Sequence, residues 1–135
     1  MTNNVTLSNY TEDRYYPKVV GTIAEQLKMS RIVRTIDVFC ALELLSQQDL
    51  IRWRSGQVPY LESVIKCNLN KAERITRVLG FHAHDLNLGK SLNFEKYKGK
   101  KLRFSKSGTK KTEERYASQF SVIGKENPFR DTSGD

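Results

Sequence analysis

Eight basic residues and no acidic residue lie between Lys96 and Lys111, and this basic run is the part of the sequence with the clearest chemistry. Lysine and arginine attract phosphate groups without distinguishing between bases. Tyr97 and Phe104 interrupt the run and could stack on unpaired bases, although packing in the core is the favoured interpretation for Phe104. We expect seven members of the run to contact an anionic partner: Lys98, Lys100, Lys101, Arg103, Lys106, Lys110 and Lys111.

The positive charge is concentrated in the second half of the chain. The 135 residues carry a formal net charge of +8. Residues 1–60 contain seven Lys or Arg and six Asp or Glu, a net of +1, whereas residues 61–135 contain sixteen and nine, a net of +7. Such an asymmetry indicates an anionic partner, most often nucleic acid. The alternative is a solvated face that only keeps the protein soluble.

Other chemical motifs are weak in this sequence. His82, His84 and Asp85 form HAHD, but residues two apart on a helix point in different directions, so we expect no metal site there. SKSGTKK at 105–111 has the small residues of a phosphate-binding turn but lacks the GxxxxGK[ST] spacing. No serine or cysteine has the setting of a nucleophile. We therefore expect neither a cofactor nor enzymatic activity.

Helices are expected to position the basic run. Pro59 suits a first helical turn, and apolar residues then recur at three- and four-residue steps as far as Leu88. Asn70 could instead cap a second helix that starts at Lys71. One bent helix and two helices both fit this pattern.

The preceding chain also reads as helical. A first helix opens at Tyr15 and carries Val19, Ile23 and Leu27 on one face. A second, capped by Ser30, is predicted from Arg31 to Leu45 and is followed by a helical pattern through Trp53. Residues 50–61 could alternatively form a hairpin wing, although Pro59 disfavours a paired central strand.

The remaining segments complete a mainly α fold, a helical bundle with helix-turn-helix-like pairs and a small C-terminal β element. KLRFS at 101–105 alternates polar and apolar residues and predicts a short strand. A helix is predicted over 113–120, with Tyr116 and Phe120 packed inward. We expect a flexible N-terminus at 1–13, a single helical domain at 14–123 and a disordered tail at 124–135.

Two segments resemble the helix-turn-helix motif of DNA-binding proteins: GTIAEQLKMSRIVRTI at 21–36 and VIKCNLNKAERITRVLG at 64–80. The resemblance implies that the early residues of the second helix reach base edges while basic flanks contact phosphates. In the first candidate these residues are Ser30, Arg31, Arg34 and Thr35. In the second candidate they are Asn70, Lys71, Arg74 and Arg77.

These features together predict a transcriptional regulator of bacterial, plasmid or phage type that binds double-stranded DNA, with a homodimer as one option. The alternatives are an adaptor for an acidic protein partner and a small nuclease. Cys40 and Cys67 are predicted to be buried free thiols. The sequence contains no apolar stretch of the ~20 residues that a membrane span needs and shows no signal peptide. A cytoplasmic protein without membrane contact is therefore expected.

Overall fold

Helices and two small antiparallel sheets alternate along the chain. The structure is a computed structural model that describes residues 6, 9–124 and 127–129. Its α-helices are α1 (Tyr16–Met29), α2 (Thr35–Ala41), α3 (Gln47–Arg54), α4 (Leu69–Asp85) and α5 (Lys110–Ala117). Its strands are β1 (Ile32–Arg34), β2 (Gly89–Leu92), β3 (Lys96–Tyr97), β4 (Lys100–Lys101) and β5 (Ser118–Ser121). Short 3₁₀ turns lie at Tyr10–Glu12 and Leu61–Val64.

The larger sheet has the strand order β1–β5–β2, while β3 and β4 pair as a separate hairpin. The fold therefore mixes helices with sheets, and the predicted mainly α helical bundle is wrong. Across the larger sheet Val33 lies opposite Phe120, and Phe120 lies opposite Lys90. Val33 and Phe120 are both buried, so the sheet forms one wall of the core.

The predicted helix from Arg31 to Leu45 is wrong at both ends, over residues 31–34 and 42–45. Ser30 ends α1 with an extended backbone, and the chain continues directly as β1. The β-branched residues Ile32 and Val33 suit a strand, and their pairing with β5, almost ninety positions away, decides the conformation. Helix α2 begins only at Thr35.

The predicted helix from Pro59 to Leu88 exists only from Leu69 to Asp85, as α4. Asn68 caps it, because its side-chain oxygen accepts a hydrogen bond from the Lys71 N–H at 2.8 Å. The cap thus lies two residues before the predicted cap at Asn70. Gly80 stays within the helix and does not break it.

Backbone hydrogen bonds to a distant segment hold the chain that follows Pro59. The N–H groups of Leu61 and Glu62 donate to the carbonyl oxygens of Arg103 and Phe104, at 3.1 and 2.9 Å. These carbonyl oxygens pair with N–H groups of a segment that forms a 3₁₀ turn. The regular helix α4 begins only after the next cap, Asn68.

Residues 50–61 do not form a hairpin wing. Helix α3 occupies the first part of this segment, and the Ser46 hydroxyl caps it by accepting a hydrogen bond from the Asp49 N–H at 3.0 Å. The helical interpretation is therefore confirmed for α3. The chain then turns at Gly56, whose φ of 73° lies in the left-handed region.

Aromatic rings form the part of the core that lies under the basic run. Trp53 and Phe104 are fully buried, with ring centroids 5.0 Å apart, and Tyr116 stacks on Phe104 at 6.0 Å. The indole N–H of Trp53 donates to the Arg103 carbonyl oxygen at 2.8 Å. The predicted burial of Phe104 is confirmed.

The C-terminal elements differ from the prediction in their bounds. Of the predicted strand at 101–105, only Lys101 is in β4. Helix α5 covers 110–117 rather than 113–120, and β5 follows it without a loop. Tyr116 and Phe120 are both buried as expected, but Phe120 reaches the core from a strand.

Residues 10–13 belong to the folded body although they fall in the segment predicted to be flexible. Tyr10 is 4% exposed, and the buried Asp13 carboxylate lies 2.6 Å from the Arg74 guanidinium. Most of the predicted tail (125–126 and 130–135) and residues 1–5 and 7–8 lie outside the described residues. Cys40 and Cys67 are free thiols, each half-buried. Within the described residues, every helix is too short or too polar to cross a membrane.

Candidate nucleic-acid interface

The basic run begins with a lysine-rich hairpin formed by residues 96–101, which we call the basic hairpin. Lys96 lies opposite Lys101, and Tyr97 lies opposite Lys100. Lys98 and Gly99 form the turn, with φ angles of 51° and 80°. Positive φ at both central residues is typical of the type I′ turn, whose backbone twist matches that of the two strands it connects. The chain therefore presents four lysines on one tight ribbon.

Contacts with α3 hold the basic hairpin in place. The Arg54 guanidinium donates twice to the Glu95 carboxylate, at 2.7 and 3.2 Å, and these hydrogen bonds raise the pKa of Arg54. The Tyr97 ring lies against Gly56 so closely that a Cβ there would be 2.7 Å from the ring. On the other strand, the Lys101 ammonium lies 3.5 Å from the centroid of the Phe94 ring, a cation–π contact.

Two carboxylates organise the segment after the hairpin, residues 102–109, which we call the basic loop. Glu113 accepts hydrogen bonds from the N–H groups of Phe104 and Ser105, at 3.0 and 2.7 Å, and from the Ser105 hydroxyl at 2.6 Å. Glu62 accepts from the Lys106 N–H at 2.8 Å and the Tyr116 hydroxyl at 2.7 Å. Both carboxylates are thus used to shape the backbone and not to pair with lysine side chains.

The lysines of the basic run are exposed, and no acidic partner among residues 9–124 pairs with them. Within the described residues, none of their ammonium groups lies within 4.0 Å of a carboxylate, whereas six other basic residues form such pairs. Their remaining side-chain contacts are with aromatic rings, from Lys98 to Tyr97 and from Lys101 to Phe94. The unpaired lysines are Lys96, Lys98, Lys100, Lys101, Lys106, Lys110 and Lys111.

Arg103 differs from its lysine neighbours, because its guanidinium is used inside the basic loop. It donates to the carbonyl oxygens of Ser105, at 2.7 Å, and Lys106. Two of its nitrogens lie 3.1 Å from where a Cβ of Gly108 would be. The structure therefore gives Arg103, a predicted phosphate contact, the role of closing the loop.

The first helix-turn-helix candidate has no second helix. Ser30 and Arg31 lie between α1 and β1, and Arg34 is the last residue of β1, 3.9 Å from the Asp37 carboxylate. The Arg31 guanidinium donates to backbone carbonyl oxygens at the end of β5, including that of Val122 at 3.2 Å. These residues support the sheet and cannot enter a groove as one helix.

The second candidate has a helix, α4, but a 3₁₀ turn instead of a first α-helix. Asn70 is exposed, and Lys71 lies over the Tyr15 ring at 5.2 Å. Arg74 pairs with Asp13, and Arg77 donates to the Glu73 carboxylate at 2.8 and 3.0 Å. The two arginines predicted to contact DNA therefore bind carboxylates of their own chain.

The chain matches no protein-family model, no curated protein and no solved structure. Neither helix-turn-helix resemblance gains support from a relative, so function has to be inferred from geometry and charge.

The HAHD segment serves the packing of the N-terminal residues. The Tyr10 hydroxyl donates to Asp85 at 2.5 Å, and burial together with this carboxylate raises the pKa of Tyr10 to about 12. The His82 ring lies 5.9 Å from that of Tyr16, and burial lowers the pKa of His82. His84 is exposed. Among the described residues, no three His, Cys, Asp or Glu side chains gather as metal ligands.

Sequence reasoning missed the residues that hold the basic run in shape: Arg54, Glu62, Glu95 and Glu113. Three of them are distant in sequence from the groups they bind, so no local pattern marks them. The hairpin turn did leave a signal, because glycine as the second residue of a two-residue loop is typical of this turn.

Proposed function

We propose that this protein binds double-stranded DNA through the exposed lysines of the basic hairpin, the basic loop and the first turn of α5. The observation that carries the proposal is a fixed array of seven lysines without carboxylate partners among the described residues. The proposal does not include binding by a recognition helix, because neither helix-turn-helix candidate provides two helices joined by a short turn.

The pairing within the hairpin favours an anionic partner. Like charges directly opposite on antiparallel strands are destabilising, and Lys96 faces Lys101 in this way. A phosphate placed near both ammonium groups would remove that repulsion and gain two charge-assisted contacts. The hairpin is therefore expected to be more stable in the complex than in the free protein.

The shape of the hairpin favours a duplex. A two-stranded ribbon fits the major groove of B-DNA, which is ~12 Å wide. Lysine supplies a point charge and no fixed hydrogen-bonding pattern, so we expect tolerance of many sequences. Both cysteines are free thiols, in keeping with the cytoplasm as the proposed location.

Salt dependence of DNA binding tests the proposal. If about five lysines contact phosphates, the affinity should fall about 500-fold between 50 and 200 mM salt. The variant K98Q/K100Q/K101Q should keep only about a 10-fold fall, since about two contacts remain. Fluorescence anisotropy with a labelled duplex measures both slopes.

The matched control is K18Q/K28Q/K66Q, which removes the same charge from lysines outside the basic run. It should leave the slope almost unchanged. Equal slopes for the two triple variants would show that net charge, and not this array, drives binding.

The two rival functions have different signatures in the same assay. An adaptor for an acidic protein would not bind duplex or single-stranded DNA even at low salt. A nuclease would shorten the labelled probe, whereas we propose binding without catalysis.

A further inference from the structure

Two adjoining clefts between α4, β2 and α5 form a site that the basic hairpin does not use. The first has a volume of about 270 Å³ and the second about 430 Å³. Gly80, Lys90 and Phe120 line both, so the clefts meet at these residues. Their sizes, taken together, suit a small organic ligand.

The first cleft is positively charged. Lys90, Lys111 and Arg115 line it, against one carboxylate, Glu114. A sphere of 270 Å³ is about 8 Å across, so charges on its wall interact within about one Debye length. By contrast, one lysine and two glutamates line the 500 Å³ cleft between α1 and α2, so that cleft is not positively charged.

Arg115 in particular has no carboxylate partner in the part of the chain that the structure describes. Its side chain is half-buried, yet within the described residues no carboxylate lies within 4.0 Å of its guanidinium. A partly desolvated cation is costly unless it is paired. Guanidinium matches the geometry of phosphate and can donate to it twice.

The hydroxyl groups that line the cleft are buried and already donate within the chain. Thr35 donates to the Ser118 carbonyl oxygen at 2.9 Å, and Ser118 donates to that of Glu114 at 2.8 Å. Thr76 donates to the Glu73 carbonyl oxygen at 2.9 Å. Because each hydroxyl proton is already used, these oxygens can only accept. A sugar hydroxyl or a base amine could donate to any of these oxygens that it reaches.

The second cleft suits the less polar part of such a ligand. Leu88, Phe120 and Ile123 line it together with Asn87 and His84. Ile123 is 72% exposed, a large apolar side chain left uncovered at the rim. A planar base resting here would cover it while its phosphate lay in the first cleft.

Gly80 keeps the two clefts open. It lies inside α4, where glycine is one of the poorest helix formers. Apart from the backbone of its own helix, no atom of the described residues lies within 4 Å of the position that a Cβ would occupy, so packing does not require glycine. A side chain there would project into the junction of the clefts.

From these observations we propose that the double cleft binds a nucleoside monophosphate, with Arg115, Lys90 and Lys111 around the phosphate. The nucleotide is either a free molecule or the phosphorylated end of a nucleic-acid strand. The site shares Lys111 with the lysines proposed to bind DNA but contains none of the hairpin lysines, so its existence does not depend on DNA binding by the hairpin.

Calorimetric titration of the full chain tests the proposal. The probes are adenosine, guanosine, cytidine and uridine 5′-monophosphates, each compared with its nucleoside. We expect at least one monophosphate to bind, with its nucleoside about 10- to 100-fold weaker, since charge-assisted hydrogen bonds are lost. R115Q should weaken binding by a similar factor. If no monophosphate binds at millimolar concentration, the proposal is wrong.

The variant G80L should abolish nucleotide binding by filling the junction while leaving the melting temperature unchanged or higher. Its control is G21L, the same change in α1, where a Cβ also meets no described atom within 4 Å outside its own helix backbone. Nucleotide binding that survives in G80L, or that is insensitive to R115Q, would overturn the assignment. The charge variant keeps the test decisive even if G80L folds poorly.

Competition identifies the source of the nucleotide. A 5′-phosphorylated oligonucleotide that displaces the monophosphate, when its 5′-hydroxyl form does not, indicates a strand end. Displacement by neither indicates a free nucleotide. The K98Q/K100Q/K101Q variant should bind monophosphates normally, so failure of the DNA proposal and failure of this one remain distinguishable.

Discussion

Replacing Glu113 with glutamine makes the protein more positive, yet we expect the variant to bind DNA less tightly. Simple electrostatics predicts the opposite, because the net charge rises by one. The difference arises because the Glu113 carboxylate shapes the basic loop through three hydrogen bonds, to Phe104 and Ser105. Without it, the loop that carries part of the lysine array is no longer fixed.

The expected loss of stability can be worked out from these contacts. Hydrogen bonds to a charged group contribute about 1.5–3 kcal/mol each, and an unsatisfied buried donor costs about 1–3 kcal/mol. Phe104 and Ser105 are both fully buried. Glutamine keeps one acceptor oxygen but presents an NH₂ group to the other donors, so we expect a loss of about 2–4 kcal/mol. For a chain of this length that corresponds to about 7–14 °C in melting temperature.

Urea unfolding followed by circular dichroism measures the change, and E114Q is the matched control. Glu114 is the next residue and undergoes the same change of charge, but its carboxylate has no hydrogen bond or ion pair within the described residues. E114Q should stay within about 0.5 kcal/mol of the parent and bind DNA at least as well. If E113Q and E114Q have the same stability and DNA affinity, the assigned role of Glu113 is wrong.

Two further predictions concern local structure and pH. Burial lowers the pKa of His82 below 6.5, so the unfolded chain takes up its proton first and the stability should fall as the pH drops below 6.5. Urea unfolding at several pH values should show a smaller fall in the variant H82Q. The control is H84Q, a change at an exposed site. Gly56→Ala should lower the free energy of unfolding, measured in urea, by more than Gly99→Ala does. Both glycines have positive φ, but only a Cβ at Gly56 would meet a ring, that of Tyr97. Equal losses of stability in the two variants would contradict this.

Local signals predicted the elements whose stability is local. Helix α1 follows from the spacing of Val19, Ile23 and Leu27, all buried on one face. Burial of Phe104 followed from its place in a short alternating segment. The lysines of the basic run were identified by composition, since exposed charge needs no tertiary partner to be recognised.

The sheet was not predicted because its pairing is long-range. Ile32, Val33 and Ile36 fit a helical face as well as a strand followed by a helix, and only the pairing with β5 separates these options. Phe120 lies four residues after Tyr116, a helical spacing, yet it reaches the same core from a strand. Where two conformations bury the same side chains, periodicity cannot choose between them.

The candidate site was predicted in part for the same reason. Sequence identified which residues are basic but could not separate those that are paired from those that are not. Arg74 and Arg77 looked like DNA contacts on an amphipathic helix. The Asp13 partner of Arg74 became visible only in the folded chain, whereas Glu73 lies four residues before Arg77, a spacing that pairs side chains on a helix.

The carboxylates near the basic run show how folding leaves its lysines unpaired. Glu62, Glu95 and Glu113 still lower the potential around them, so they do not make the region more positive at long range. Their oxygens, however, are bound to backbone N–H groups, hydroxyl groups and the Arg54 guanidinium. The lysine side chains can therefore contact a phosphate backbone without first breaking an ion pair. On α4 the opposite holds, because a phosphate would have to displace Asp13 or Glu73 before it could bind the arginines there. Contact with DNA should accordingly begin at the basic hairpin and the basic loop.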